Sequence, residues 1–237
     1  MIPGVPLPIL QANGLSKSYG KTPALNNVNL WLPTGRIIGL LGPNGSGKTT
    51  LIKLAAGLLT PSTGDILING LPPGPETKAQ VSYLPDRVYF DGWMKVRDCL
   101  ALFADFYTDF DRAKASEMLR FMNIDLSQPF KALSKGTQEK VQLSLVMSRS
   151  ARLYLLDEPI GGVDPAARDF ILDTIIRNYS DYGTVIISTH LIYDIEKVLD
   201  DVIFLVNGYV ERATSVNDIR EQTNKSVDEL FREVFRC

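Results

Sequence analysis

Eight residues, GPNGSGKT from Gly42 to Thr49, combine glycines, one lysine and one hydroxyl at the spacing G-x-x-x-x-G-K-T. Glycines at Gly42, Gly45 and Gly47 let backbone N–H groups converge on phosphate oxygens, with Pro43, Asn44 and Ser46 completing the loop. Lys48 is placed to reach β and γ phosphates, and the Thr49 hydroxyl to ligate Mg²⁺. A second acidic element must then hold the metal. RLYLLDEP supplies it: four apolar residues run into Asp157, which would hold Mg²⁺ through water, and Glu158 follows at once. A carboxylate there can orient a water beside the γ-phosphate and accept its proton. His190, the only histidine of the chain, closes the run VIISTH. A lone histidine beside an apolar run reads as structural when taken by itself.

These groups need strands that end in them and helices that begin beside them. RIIGLLG (36–42), RLYLLD (152–157), TVIIST (184–189) and DVIFLV (201–206) are apolar on both faces, as the central strands of a parallel sheet are. The loop at 42–49 sits between the first of these and the helical run TLIKLAAGLL, which aims its positive dipole end at the loop. Asn69-Gly70 and Asn207-Gly208 are tight-turn pairs, and YVE after the second predicts a hairpin. From Asp86 to about Lys140 the texture changes. Aromatics gather in YFDGWM and LFADFYTDF, and DRAKASEMLRFM has the period of an amphipathic helix. Ser226 and Glu229 form a capping box for a final helix, whose face of Val227, Leu230, Phe231, Val234 and Phe235 is expected to dock on the protein's own core. The fold class that follows is α/β: a P-loop NTPase with a mainly parallel central sheet, and a helical subdomain inserted at about 86–140 of a single domain spanning 1–237.

Composition narrows the partners. A formal net charge of −2 offers no basic field for nucleic acid. The two cysteines, Cys99 and Cys237, are too far apart in sequence for zinc spacing or a disulfide framework, which suits a reducing compartment. No apolar run has the length of a membrane span. MIPGVPLPIL lacks a basic leader region and carries three prolines, a poor signal peptide. The expected location is the cytoplasm.

Taken in order, the motifs resemble those of the nucleotide-binding subunit of ABC transporters, over essentially the whole chain. Tyr19 in SKSYG resembles the aromatic that stacks on adenine; Gly42–Thr49 is similar to the Walker A loop, with Thr50 near the α-phosphate. VSYLPD ends in Asp86 where the family carries its Q-loop glutamine, and LSKGTQ (133–138) resembles the signature LSGGQ. Asp157 and Glu158 resemble Walker B and the catalytic glutamate, Asp164 the D-loop aspartate, and His190 the switch histidine that donates to the γ-phosphate. The resemblance implies an N-terminal antiparallel β region, ATP and Mg²⁺ as cofactors (Mg²⁺ on Thr49, Asp86 and Asp157), and ATP hydrolysis. It implies a head-to-tail dimer, homo- or heteromeric, in which Ser134 and Gly136 of one subunit touch the γ-phosphate bound to the other. A membrane permease would be the partner, placing the protein on the inner face of the cell membrane.

Three positions depart from the family pattern: Asp86 for glutamine, Lys135 for the first signature glycine and Thr137 for its glutamine. An LSKG-type signature is similar to a branch that includes peptide-antibiotic and stress-response exporters. The cluster Tyr89, Phe90, Trp93 and Met94 lies where the family receives the permease's coupling helix, and equally suits a small core of the helical region. Two other readings stand beside the transporter: a non-transport ABC-type ATPase module, and a weakly active cassette that binds ATP as a switch.

Overall fold

The protein is described here by a computed structural model covering residues 8–161, 165–179 and 182–235, with backbone alone at 165–167. The chain opens with β1 (Leu10–Tyr19) and β2 (Thr22–Leu32), then β3 (Ile37–Leu41), α1 (Lys48–Ala55) and β4 (Thr63–Ile68). α2 (Pro75–Gln80) and β5 (Val81–Leu84) lead into three helices: α3 (Val96–Phe106), α4 (Arg112–Phe121) and α5 (Lys135–Met147). β6 (Leu153–Asp157), α6 (Pro165–Asn178), β7 (Thr184–Thr189) and α7 (Ile192–Ile195) follow. β8 (Asp201–Val206), β9 (Tyr209–Ser215), α8 (Val216–Thr223) and α9 (Val227–Val234) end the described chain.

Among the described residues the strands form two sheets. β2-β1-β4 is antiparallel; β5-β6-β7-β3-β8-β9 is parallel except for the β8–β9 hairpin. Asn207 and Gly208 both take positive φ, 48° and 83°, the backbone of a two-residue hairpin turn. Strand apolarity divides cleanly between two cores. Leu153 and Leu155 of β6 face α1 and the antiparallel sheet, whereas Tyr154 and Leu156 face α5, α6 and the C-terminal helices. Burial on both faces is why these strands read as unbroken apolar runs.

Register sets the site. Leu41 pairs with Thr189, and Asp157 with Ser188, so β3, β7 and β6 all release their chains at one edge of the sheet. That carboxyl edge is where open α/β sheets bind ligands.

The helical region is α3 to α5. α5 runs through residue 140, and its second half, Val141–Met147, is buried in the core beneath the sheet. α5 begins at Lys135, because the Ser134 side chain accepts a bond from the Thr137 N–H and so caps the helix. α9 is capped by Ser226 and Glu229 as the spacing predicts. It lies on the protein's own core, with the Phe231 ring edge-on to Phe204 at 5.8 Å between centroids.

Candidate functional site

The loop after β3 is tight because only glycine fits two of its corners. A Cβ on Gly42 would stand 2.4 Å from the Leu205 carbonyl oxygen, and one on Gly47, at φ 108°, would stand 2.5 Å from that of Ala24. β8 and β2 therefore both press on the loop, and Gly208 of the hairpin turn donates to the Ser46 carbonyl at 2.9 Å. α1 starts at once, with Gly47 as its N-cap and no acidic residue in its first turn. Having no side chain, this cap leaves the first-turn N–H groups to an anion.

Lys48 is buried, 5% exposed, and its Nζ donates to the carbonyls of Gly42 (2.8 Å) and Pro43 (3.1 Å). The same Nζ lies 3.4 Å from Glu158 Oε1. Glu158 in turn meets His190 Nδ1 at 3.2 Å, so one carboxylate joins the loop lysine to the histidine. Glu158 holds φ +50°, uncommon for a residue with a Cβ, and its N–H is tied to both the carbonyl and the hydroxyl of Ser188, each at 3.0 Å. Such a backbone persists only where its surroundings enforce it.

Asp157 is fully buried at the end of β6. Its Oδ1 accepts from Ser188 Oγ at 2.6 Å and from Thr49 Oγ1 at 3.2 Å, while Oδ2 is buried with no hydrogen-bond partner. Burial pushes this carboxyl above the usual carboxylate range; the Ser188 and Thr49 hydrogen bonds oppose the rise, and the charges of Asp86 and Glu158 add to it. An orphaned carboxylate oxygen beside a threonine hydroxyl is a hard-oxygen donor set and fits Mg²⁺, which takes one or two protein carboxylates and completes its shell with water and phosphate oxygens. Among the described residues no group of three or more His, Cys, Asp or Glu could hold a metal by itself, so the fit depends on phosphate as the co-ligand.

The remaining predicted residues occupy different places. Thr50 is buried in the first turn of α1. Tyr19 ends β1, half-exposed, with Lys17 Nζ 5.7 Å from its ring centroid. Asp86 lies exposed on the loop after β5. Together with Lys135, Glu139 and Glu158 it lines a cavity of about 40 Å³, so two of the three departures share one pocket with the acid after β6. Lys135 itself pairs with Glu139 at 3.8 Å, one helical turn on, and is largely solvated. Ser134 Oγ is occupied as the α5 cap, 2.8 Å from Thr137 Oγ1. Gly136 is open: a Cβ there would find no atom within 4 Å beyond the neighbouring backbone of its own helix, among the described residues. Asp164 lies outside the described residues.

The aromatic cluster divides. Phe90 is buried and packs on Phe103 and Phe130, with ring centroids 6.1 and 5.3 Å away, whereas Trp93 is 72% exposed. A cavity of about 400 Å³ opens between the loop after β5 and α3, lined by Tyr83, Arg87, Tyr89, Leu102 and Phe106 among others. Sequence reasoning missed Ser188, whose only signal is a hydroxyl inside an apolar strand two residues before His190. It also missed Arg149, a buried guanidinium bound to Asp109 at 3.0 Å, to the carbonyls of Ala79 and Val81, and stacked over Tyr107 at 3.8 Å.

Comparison with known proteins gives one consistent result. Residues 25–161 match the family model described as "ABC transporter". The chain is 30% identical over 219 residues to the ABC transporter ATP-binding protein YtrB of Bacillus subtilis, covering 90% of this chain and 74% of that one. It is 28% identical over 229 residues to the lantibiotic transport ATP-binding protein SrtF of Streptococcus pyogenes, covering 94% and 96%. Among solved structures, an ATP-binding subunit of an ABC transporter superposes with a TM-score of 0.85 at 30% identity, over 96% of this chain and 100% of that one. A cassette dimer, MJ0796 bound to ADP and Pi, shares the fold at a TM-score of 0.77 and 22% identity, over 87% of this chain and 98% of that one.

Proposed function

This chain belongs to the ABC transporter family as an ATP-binding, ATP-hydrolysing subunit, and from that premise we propose that Glu158 and His190 carry out hydrolysis while the loop at 42–49 holds the nucleotide. The observation that carries the reading is the chain Lys48–Glu158–His190 at the sheet's carboxyl edge, beside a buried Asp157 with one free oxygen. Lys48, now bonded to its own loop's carbonyls, is the cation that γ-phosphate would engage. Glu158, released from that lysine, faces the position of an attacking water and takes its proton. His190 orients the carboxylate through Nδ1 and donates toward phosphate. Thr49 and Asp157 would hold Mg²⁺, with Asp86 reaching it from the neighbouring loop; bound there, the ion would neutralise developing phosphate charge. Tyr19 supplies an exposed ring for adenine, and Thr50 lies toward the α-phosphate.

The proposed assembly is a head-to-tail pair of cassettes, with a second copy or a close relative. Gly136 supports it, since no atom of its own chain requires a glycine there. A neighbouring subunit's phosphate approaching the N-terminus of α5 does. Asp164 belongs to the same interface on the ground of sequence alone. A membrane permease is the proposed partner, docking at the 400 Å³ cavity that Tyr89, Leu102 and Phe106 help to line. No helix among the described residues is long and apolar enough to cross a membrane, so attachment to the inner membrane face would come through that partner. We place the whole chain in one domain, its helical region sharing α5 with the sheet's core.

The test is steady-state ATP hydrolysis and nucleotide binding by the wild type and Lys48→Ala. The wild type turns over ATP with magnesium, and Lys48→Ala binds about 10- to 100-fold more weakly, the loss of a charged hydrogen bond of roughly 1.5–3 kcal/mol. Unchanged affinity in the variant would refute the placement of phosphate at this loop.

A further inference from the structure

We propose that Ser188 is a positioning residue for hydrolysis: its one hydroxyl anchors Asp157 so that Oδ2 is left to the metal, and fixes the backbone turn that presents Glu158. The inference rests on the reading of Asp157 and Glu158 given above.

The geometry is specific to a group that both donates and accepts. Ser188 Oγ donates to Asp157 Oδ1 at 2.6 Å and accepts from the Glu158 N–H at 3.0 Å. Asp157 and Ser188 are direct partners across the β6–β7 ladder, so the two bonds need no movement of either strand. Ser188 is fully buried and follows Val185, Ile186 and Ile187, in a strand that otherwise spends its middle on apolar packing. A hydroxyl in such a place is costly unless bonded, and this one is bonded only to the two carboxylate-bearing residues of the site.

Each bond has its own consequence. Holding Oδ1 from β7 and from Thr49 leaves Oδ2 as the unpartnered oxygen. Removing a partner that orients a metal-holding carboxylate typically costs about 10- to 100-fold in metal affinity or activity. The second bond, shared with the Ser188 carbonyl at 3.0 Å, secures Glu158 at φ +50°, a conformation that places its carboxylate between Lys48 and His190. Ser188 touches neither phosphate nor the reacting water; it acts through its neighbours.

The experiment measures ATP affinity of Ser188→Ala, Ser188→Thr and Asp157→Asn with magnesium and with EDTA, together with kcat at saturating magnesium. In EDTA, Ser188→Ala binds within about twofold of the wild type, while the affinity gained on adding magnesium falls about tenfold. Its kcat falls about tenfold as well, and Ser188→Thr, which keeps the hydroxyl, recovers most of both. Equal weakening with and without magnesium means a structural role and overturns the proposal, as does a wild-type magnesium gain and kcat in Ser188→Ala. If Ser188→Ala fails to fold, Ser188→Thr and Ser188→Cys carry the comparison: threonine near wild type and cysteine reduced sustain it, and equal values refute it. Asp157→Asn separates the two failures. Should it retain the full magnesium gain, the assignment of Asp157 falls; should it lose the gain while Ser188→Ala keeps it, only the role of Ser188 falls.

Discussion

At the scale of single residues the site is a set of charges held close together by geometry that the apolar fold has to sustain. Asp157 shows the cost most directly. Its carboxyl is raised by burial, so the folded protein holds the neutral form more readily than the unfolded chain does. A raised folded value means stability is lost as pH climbs past the ordinary carboxylate range and the charge must be buried. In metal-free buffer at neutral pH, Asp157→Asn is therefore expected to match or exceed the wild type in Tm. The difference should shrink as pH falls into the ordinary carboxylate range, because the raised folded-state carboxyl has taken its proton by then. Calorimetry across that range checks the sign, and a variant that is much less stable at pH 7 contradicts it. His190 makes the complementary case. With its ring about half exposed and bonded to Glu158, it bears little packing, so His190→Ala should lower kcat about 10- to 100-fold and leave Tm almost unchanged.

At the scale of elements, what could be read in advance was what one period of the chain encodes. β3, β6, β7 and β8 declared themselves by apolar runs because both faces are buried, and the loop at 42–49 declared itself because its chemistry needs fixed residue types. What stayed hidden depends on contacts between distant segments. Ser134 serves as the cap of α5, a local use of the hydroxyl that the signature motif does not advertise. Ser188 looks like one polar residue in a strand until the β6 register sets it opposite Asp157. Arg149 is silent in sequence, yet it joins the start of β5, through the Ala79 and Val81 carbonyls, to Asp109 and Tyr107 behind α3. Arg149→Ala would strand those carbonyls, and is expected to cost about 3 kcal/mol, read from the urea unfolding midpoint. A loss under about 0.5 kcal/mol, the range of ordinary surface substitutions, would show that the helical region is held by other contacts.

At the scale of the whole molecule, the proposed site is completed by a second cassette. The loop, the acid after β6 and the histidine after β7 gather at one sheet edge, while Ser134 and Gly136 stand at the start of α5 in the helical region. The account joins them by setting a second cassette against the first, with nucleotide between, and lets hydrolysis release the pair. The proposed cycle is a two-state element biased by γ-phosphate contacts, which a permease would convert into movement. Asp86 and Lys135 share a pocket with Glu158, so two of the three departures from the family pattern fall where the helical region meets the acid after β6. The most direct measurement is light scattering of Glu158→Gln with ATP and magnesium, alongside its rate of phosphate release. The account predicts that turnover falls about 10²- to 10⁴-fold, the share of a general base. It also predicts that the mass doubles with ATP and returns to that of one chain with ADP. Ordinary phosphate release, or a mass that stays at one chain with ATP at every protein concentration, would contradict it.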